Sequence, residues 1–353
     1  MRGDPPHSLL IVRLGAMGDV IHTMAAVAAL RAVFPDTKIG WAIEERWAEL
    51  LHVKGAAWSG KRSTAQPLVD SVHVVNTKQW RKSPFFVETT RQIKKTFAGI
   101  RAQKYEVAAD FQGAIKSALI ARFAGAGETV GMAAPREFPA KSLYKRPIAT
   151  PGTHIVEQYH SLAEAIAGTA LPAAAPIFPC DEEAEAVIAK RFGSSKVIIL
   201  NPGAGWAAKQ WPVERYGKVA KALSRDGLTP VINFGPGEDE LARRAAAASG
   251  GTAVAMPCSL SELIALTRRA GLFIGGDTGP LHLAAAMKVP VVALFGPTDP
   301  ARNGPYRTRS VVLRNSVSRT SLSHTSDLDP GLLQITTDEV VRAAKQLLEV
   351  RHV

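Results

Sequence analysis

Short runs of apolar residues alternate along the chain with longer stretches in which apolar residues recur at every third or fourth position. The first kind reads as a strand buried on both faces, the second as a helix with one face on a core. In the first half "SLLIVR" (8–13), "KIGWAI" (38–43), "SVHVV" (71–75) and "YEVAAD" (105–110) predict strands. "VIHTMAAVAALRAVF" (20–34), which stops at Pro35, predicts a helix, as do "FVETTRQIKKTFAGIRAQ" (86–103) and "AIKSALIARFA" (114–124). The stretch "GTALPAAAPIFPCDEE" (168–183) holds three prolines and no period, and reads as a linker. Beyond it the alternation resumes with "KVIIL" (196–200), "PVINF" (230–234), "TAVAM" (252–256), "LFIGG" (272–276) and "PVVALF" (290–295). A last helix is predicted over "TTDEVVRAAKQLLEV" (336–350). Strand–helix alternation builds parallel sheets covered by helices on both faces. The expected fold class is therefore α/β, with two doubly wound domains in tandem. Ligands of such sheets bind at the carboxyl ends of the strands, and two facing domains would place a site in the cleft between them.

Length agrees, since 353 residues exceed one ordinary core and suit two domains of about 150–180 residues. Cys180 and Cys258 lie far apart in no CxxC spacing, which argues against a disulfide framework or a zinc site and suits a reducing cytoplasm. No apolar run approaches the roughly 20 residues of a membrane span, and the start "MRGDPPHSLLIVRLG" does not read as a signal peptide. Net charge changes the picture more. It is +12, and between Asn76 and Arg146 fourteen Lys/Arg face five Asp/Glu. Such a surplus suits an anionic partner, whether nucleic acid, anionic lipid or a phosphorylated substrate.

Candidate chemistry sits where strands end. "RLGAMGDVIHT" (13–23) places Asp19 between an apolar run and a helical pattern, where a carboxylate serves either as a helix cap or as a base. "FIGGDTGPLHLAAAM" (273–287) reads as strand, Gly-rich turn and helix, a geometry that suits a phosphate; Thr278 adds a hydroxyl and His282 follows in the helix. The plainer reading has Asp277 or Thr278 only capping that helix. "NPGAGWAAKQWP" (201–212) is a Gly-rich loop whose Lys209, between Trp206 and Trp211, could neutralise a leaving phosphate or simply lie on the surface beside core aromatics. "NFGPGEDE" (233–240) offers Glu238 and Asp239 to ribose hydroxyls, or to a helix start. "AADFQGAIKSAL" (108–119) is a further strand end, with Asp110, Gln112 and Lys116. No GxGxxG fingerprint with its distal acid occurs, and no Walker A sequence. "KQWRKSP" (78–84) and "APREFPAKSLYKR" (134–146) are basic with aromatics but lack the pattern of a nucleic-acid module, so a basic nucleic-acid-binding α/β protein is the weaker alternative.

Taken together, these motifs resemble the glycosyltransferase family 9 heptosyltransferases of lipopolysaccharide core assembly. "IVRLGAMGDVIHTMAAVAALRAVFP" is similar to their opening, and "GGDTGPLHLAAAMKVPVVALFGPTDP" to their donor-site signature. "KQWP", the 235–240 loop and "DFQGAIKSAL" fall in matching order, so the resemblance covers nearly the whole chain. "QWRKSP" and "REFPAKSLYKR" resemble the subgroup that adds the first heptose to Kdo-lipid A; a relative acting on an already heptosylated core is the alternative. The resemblance implies a GT-B fold, with an acceptor-binding Rossmann-like domain over 1–170 and an ADP-sugar-binding one over 171–336. The final helix, 337–353, often crosses back to the first domain in this fold. The implied donor is ADP-L-glycero-β-D-manno-heptose, and the implied reaction inverts the anomeric centre without a metal or other cofactor. Asp19 matches the catalytic carboxylate and Lys209 the lysine near the donor phosphates. Asp277, Thr278, Gly279 and His282 match the donor signature. Met17, Gly18, Ala204, Gly205 and Cys258 fall at donor-contact positions, and Glu238 and Asp239 compete for one acidic place. Arg81, Lys82, Lys116 and Arg136 are the candidates for the acceptor's carboxylate and phosphates. The implied setting is the cytoplasmic side of the inner membrane, peripherally bound to its anionic leaflet, with no nucleic-acid partner.

Overall fold

The computed structural model describes residues 6–83, 86–321 and 327–349, which leaves Pro84 of the basic segment and the last four residues of the final predicted helix stretch (350–353) outside. The chain divides into two units, Met1–Cys180 and Asp181–Val353. In the first, β1 (Ser8–Val12) leads into α1 (Met17–Val33), β2 (Lys38–Glu44) and β3 (Ser71–Val75). There follow α2 (Thr77–Lys82), α3 (Val87–Ala102), β4 (Val107–Asp110), α4 (Ile115–Phe123), β5 (Glu128–Met132), a 3-10 turn (Phe138–Leu143), β6 (Arg146–Ile148) and α5 (Ile155–Ala167). The second unit runs α6 (Glu182–Phe192), β7 (Val197–Asn201), α7 (Val213–Ser224), β8 (Thr229–Phe234), α8 (Asp239–Ala248), β9 (Val254–Pro257) and α9 (Leu260–Arg269). It continues with β10 (Ala270–Gly276), α10 (Gly279–Ala286), β11 (Val291–Phe295), α11 (Pro300–Asn303), β12 (Ser310–Arg314), α12 (Pro330–Gln334) and α13 (Thr337–Glu349).

Both sheets are parallel throughout, ordered β3-β2-β1-β4-β5-β6 and β12-β11-β10-β7-β8-β9. The central strands are buried on both faces, which is why β1, β7 and β11 read as unbroken apolar runs. Each sheet reverses its winding once, between β1 and β4, where Val12 lies beside Asp110, and between β7 and β10, where Asn201 lies beside Gly275. At such a switch point neighbouring connections leave in opposite directions and open a crevice beyond the carboxyl ends. All four of these strand ends carry motifs singled out from the sequence.

Two boundaries differ from expectation. Residues 171–180 belong to the first unit, not the second. The amide of Leu171 donates to Glu164 (3.0 Å) and that of Cys180 to the Thr64 carbonyl (2.9 Å), so the break falls after Cys180. Helix α13 does not cross back over 337–349. Its apolar face, Val340, Ala343, Ala344 and Leu347, joins the second unit's core with Leu223, Leu272 and Leu294. Among the described residues no helix is long and apolar enough to cross a membrane.

Candidate active site

At the β1–β4 switch point the chain leaves β1 through Arg13, Leu14, Gly15 and Ala16 and enters α1 at Met17. Met17 and Gly18 are the first, buried helical residues, and Asp19 is the third. Asp19 therefore lies inside the first turn rather than at the cap position, which belongs to Ala16. Its Oδ2 accepts the Ala16 N–H (3.3 Å), so the capping role holds in part. The same oxygen pairs with the guanidinium of Arg13. Arg13 is buried, and its Nη1 donates to the Phe111 carbonyl (2.9 Å) and bonds the Tyr159 hydroxyl (3.0 Å), with the Tyr159 ring beneath it at 5.6 Å. Burial opposes the charge of Arg13, but Asp19, Tyr159 and Asp110 outweigh it and hold its pKa above the ordinary value. The Asp19 carboxylate is over a third exposed, while the cation that fixes it is not.

The rest of this strand end is a rigid polar floor. The Gln112 side chain accepts the Leu14 N–H at 3.0 Å, tying the two switch-point turns together. Asp110 is wholly buried and accepts from Gln112 N, Gly113 N, Ser117 Oγ and Tyr144 Oη within 3.2 Å. Burial pushes its carboxyl up, against those four bonds. Asp110 and Gln112 thus hold the loops in place. Gly15 has φ of +157°, and a Cβ there would stand 2.7 Å from Trp47 Nε1; the turn needs glycine on both counts.

At the β7–β10 switch point one carboxylate organises the cluster. Asp277 Oδ2 receives Lys209 Nζ at 2.5 Å and Oδ1 meets His282 Nε2 at 3.0 Å. Lys209 also donates to the Asp277 carbonyl (3.3 Å) and lies over the Trp206 ring (4.2 Å). All three side chains are nearly buried. Burial alone would raise the Asp277 pKa; His282 and Lys209 outweigh it and hold the carboxyl well below its usual range. Lys209 is thus no surface lysine, although Trp211 beside it is a core residue. Nor do Asp277 and Thr278 spend their side chains on capping. Thr278 is the N-cap of α10 without a side-chain cap bond, and its hydroxyl turns to the Gly276 carbonyl (3.3 Å) and Asn201 Oδ1 (3.4 Å). Helix α10 starts at Gly279, so its first amides lie beside Asp277, to which Lys209 is anchored, a corner whose geometry suits an anion.

The neighbouring loops complete that corner. Glu238 accepts the Gly235 N–H at 2.9 Å and packs so close over Gly203 that a Cβ there would meet its Oε1 at 2.2 Å. Asp239 is exposed at the start of α8, so of the two acids Glu238 is the one at the β7 loop. Ala204 and Gly205 lie on that loop, half-buried and exposed. Cys258 follows β9, half-buried, its thiol pushed up to about 11 by burial and so uncharged. In the first unit Arg81 and Lys82 are exposed at the end of α2, and Arg136 is exposed before the 3-10 turn. Lys116, also exposed, donates to Thr77 Oγ1 (3.4 Å), which brings α4 against α2. Sequence reasoning missed Arg13, Tyr159 and the buried, edge-on pair His22 and His154 (5.9 Å), which lie along the α1–α5 packing. A charged residue closing an apolar strand was the available signal for Arg13. Among the described residues no three His, Cys, Asp or Glu are grouped to hold a metal ion.

Two doubly wound parallel sheets, each with a polar cluster at its switch point, are the architecture of GT-B glycosyltransferases. Residues 93–330 match Glycosyltransferase family 9 (heptosyltransferase), and the chain belongs to that family. The lipopolysaccharide heptosyltransferase 1 of Pseudomonas aeruginosa is 29% identical over 310 residues, 86% of this chain and 83% of the relative. The solved structure of Escherichia coli heptosyltransferase WaaC with ADP covers 96% of this chain and 99% of its own, at 25% identity and a TM-score of 0.77. The structure of the same enzyme with ADP-2-deoxy-2-fluoro heptose gives the same coverage and identity and a TM-score of 0.76.

Proposed function

We propose that this glycosyltransferase moves an L-glycero-D-manno-heptosyl group from ADP-heptose to a Kdo residue of Kdo-lipid A in lipopolysaccharide core assembly. The observation that carries the donor side is the Lys209–Asp277–His282 cluster beside the start of α10. The ADP-sugar-bound relative supports the same reading. A pyrophosphate entering that corner would meet the Lys209 ammonium and the amides around Thr278 and Gly279, which stabilise charge as the leaving group departs. Glu238 would take ribose hydroxyls, Cys258 would lie against the base, and Met17, Gly18, Ala204 and Gly205 would present mainly backbone.

On the acceptor side Asp19 acts as general base. The acceptor hydroxyl oxygen forms a bond to the anomeric carbon as the bond from that carbon to the pyrophosphate oxygen breaks on the opposite face. The hydroxyl proton goes to Asp19, and the configuration inverts. Lysine and backbone amides, rather than a metal, neutralise the leaving diphosphate. Arg81, Lys82, Lys116 and Arg136 supply positive charge for the Kdo carboxylate and the lipid A phosphates, and the enzyme works at the cytoplasmic face of the inner membrane.

The test is ADP release from ADP-heptose, with and without Kdo-lipid A and with and without EDTA, for wild type and Asp19→Asn. Acceptor-dependent, EDTA-insensitive release that falls about a hundredfold or more in a folded Asp19→Asn variant is expected. A cap-only role would instead cost about 1 kcal/mol of stability and little rate. Release only with an already heptosylated acceptor would transfer the activity to a later core step. No turnover on any Kdo-bearing acceptor would overturn the reading.

A further inference from the structure

Helix α4 buries one continuous arc and leaves the other bare. At about 100° per residue, Ile120, Ser117, Ala121 and Ala118 follow one another round the helix, and all four are buried. Ile120 and Ala121 pack in the cluster that includes Trp80 and Phe97, while Ala118 packs with Ala140 and Tyr144. The remaining arc carries, in order, Arg122, Ile115, Leu119, Phe123 and Lys116, every one exposed. Ile115, Leu119 and Phe123 stand at 40%, 37% and 52% exposure, spaced four residues apart. Phe138, opening the 3-10 turn that packs on α4, is 76% exposed.

Charge sorts this strip from an ordinary solvated face. No acidic residue occurs from 115 to 127. Of the acids around it, Glu128 pairs with Arg146 (2.8 Å), and Glu137 is spent at the amino end of α4, where it accepts the Ile115 N–H (2.8 Å). A single exposed leucine needs no explanation. A strip of about 12 Å with apolar residues along its middle, cations on both edges and no acid among its own residues has the composition of a surface that rests in a headgroup layer. Its cations can reach lipid phosphates while the apolar tips enter the acyl boundary. The strip also begins, at Ile115 and Lys116, on the end of the sheet where β4 lies beside β1 and Asp19 stands.

We propose that the outer face of α4, together with Phe138, seats the first unit on an anionic bilayer surface. The choice of partner rests on the lipid-anchored acceptor of the reading above. Seating by this strip presents the Asp19 end of the sheet to a substrate whose own anchor lies in the same bilayer.

The full chain is incubated with phosphatidylcholine vesicles, with and without phosphatidylglycerol and without any acceptor, and sedimented. Wild type is expected to sediment with the anionic vesicles only. Leu119→Glu/Phe123→Glu should bind them about tenfold or more weakly at unchanged melting temperature. Arg122→Gln/Phe138→Ser alters no buried position and should weaken binding in the same direction. Both variants should release ADP at the wild-type rate with a de-acylated, water-soluble Kdo acceptor. Equal vesicle binding by wild type and both variants overturns the proposal, as does wild-type binding indifferent to lipid charge, or none. Loss of self-association in the variants, with vesicle binding intact, also overturns it and assigns the strip to a second copy of the chain. Wild type that binds anionic vesicles but transfers to no Kdo acceptor overturns the proposed function and leaves this inference standing.

Discussion

Arg13 decides what the Asp19 carboxylate can do. The guanidinium and the Ala16 amide both fall on Oδ2, so one oxygen is held while the carboxylate remains partly open to solvent. A base needs that arrangement, because a displacement of about 1 Å can cost roughly a hundredfold in rate. Arg13→Met should therefore lower kcat about tenfold or more while KM for ADP-heptose stays within about twofold. Arg13→Lys should recover part of the loss, and steady-state kinetics with saturating acceptor reads both. A wild-type kcat in folded Arg13→Met would remove Arg13 from the mechanism. The clustering of Asp277, Thr278 and His282 was legible in the sequence because its signal is local: a strand, a glycine turn and a helix within fifteen residues place them together. Arg13 was not, because its anchors, Phe111 and Tyr159, are 98 and 146 residues away. The choice between Glu238 and Asp239 was equally hidden, since it depends on the bare approach of Gly203.

Most helices and buried strands announce themselves by period, and β1, β3, β7, β8 and β11 lie within a residue of the apolar runs that predict them. The elements without such a signal are short or marginal. β6 is a three-residue edge strand containing proline, β5 contains glycine, and β12 is an edge strand with no fully buried position. Helix α5 is different, for Ile155, Tyr159, Leu162 and Ile166 have helical spacing behind a His154–Glu157 capping box, a signal available in the sequence. The docking of α12 and α13 depends on side chains that no period reveals. Trp211 Nε1 donates to the Ile335 carbonyl (3.0 Å), and Arg215 donates to Leu333 and Ile335 (2.7 and 2.6 Å). Trp211→Phe keeps an aromatic ring against Tyr216 and leaves Arg215 to satisfy Ile335. It should cost about 1–2 kcal/mol, seen as a lower urea midpoint at unchanged slope. A midpoint equal to wild type would mean that Arg215 alone fastens this segment.

On the proposed function, the net charge of +12 should act on the two substrates unequally. Fourteen cations against five anions over 76–146 belong to the first unit, and the acceptor candidates among them, Arg81, Lys82, Lys116 and Arg136, are exposed. Exposed charges are screened over a Debye length of about 10 Å at 0.1 M salt, falling to about 3 Å at 1 M. Lys209 is nearly buried, locked to Asp277 and stacked on Trp206, so its attraction for a donor phosphate is screened far less. Raising salt from about 50 to about 500 mM should therefore raise the acceptor KM roughly tenfold while changing the ADP-heptose KM less than about twofold. Measuring both constants across that range, with a water-soluble Kdo acceptor that removes vesicle binding from the comparison, separates the two sites. Equal movement of both constants would mean that the donor too is held by exposed charge, and that the buried Lys209–Asp277 pair does not reach the pyrophosphate.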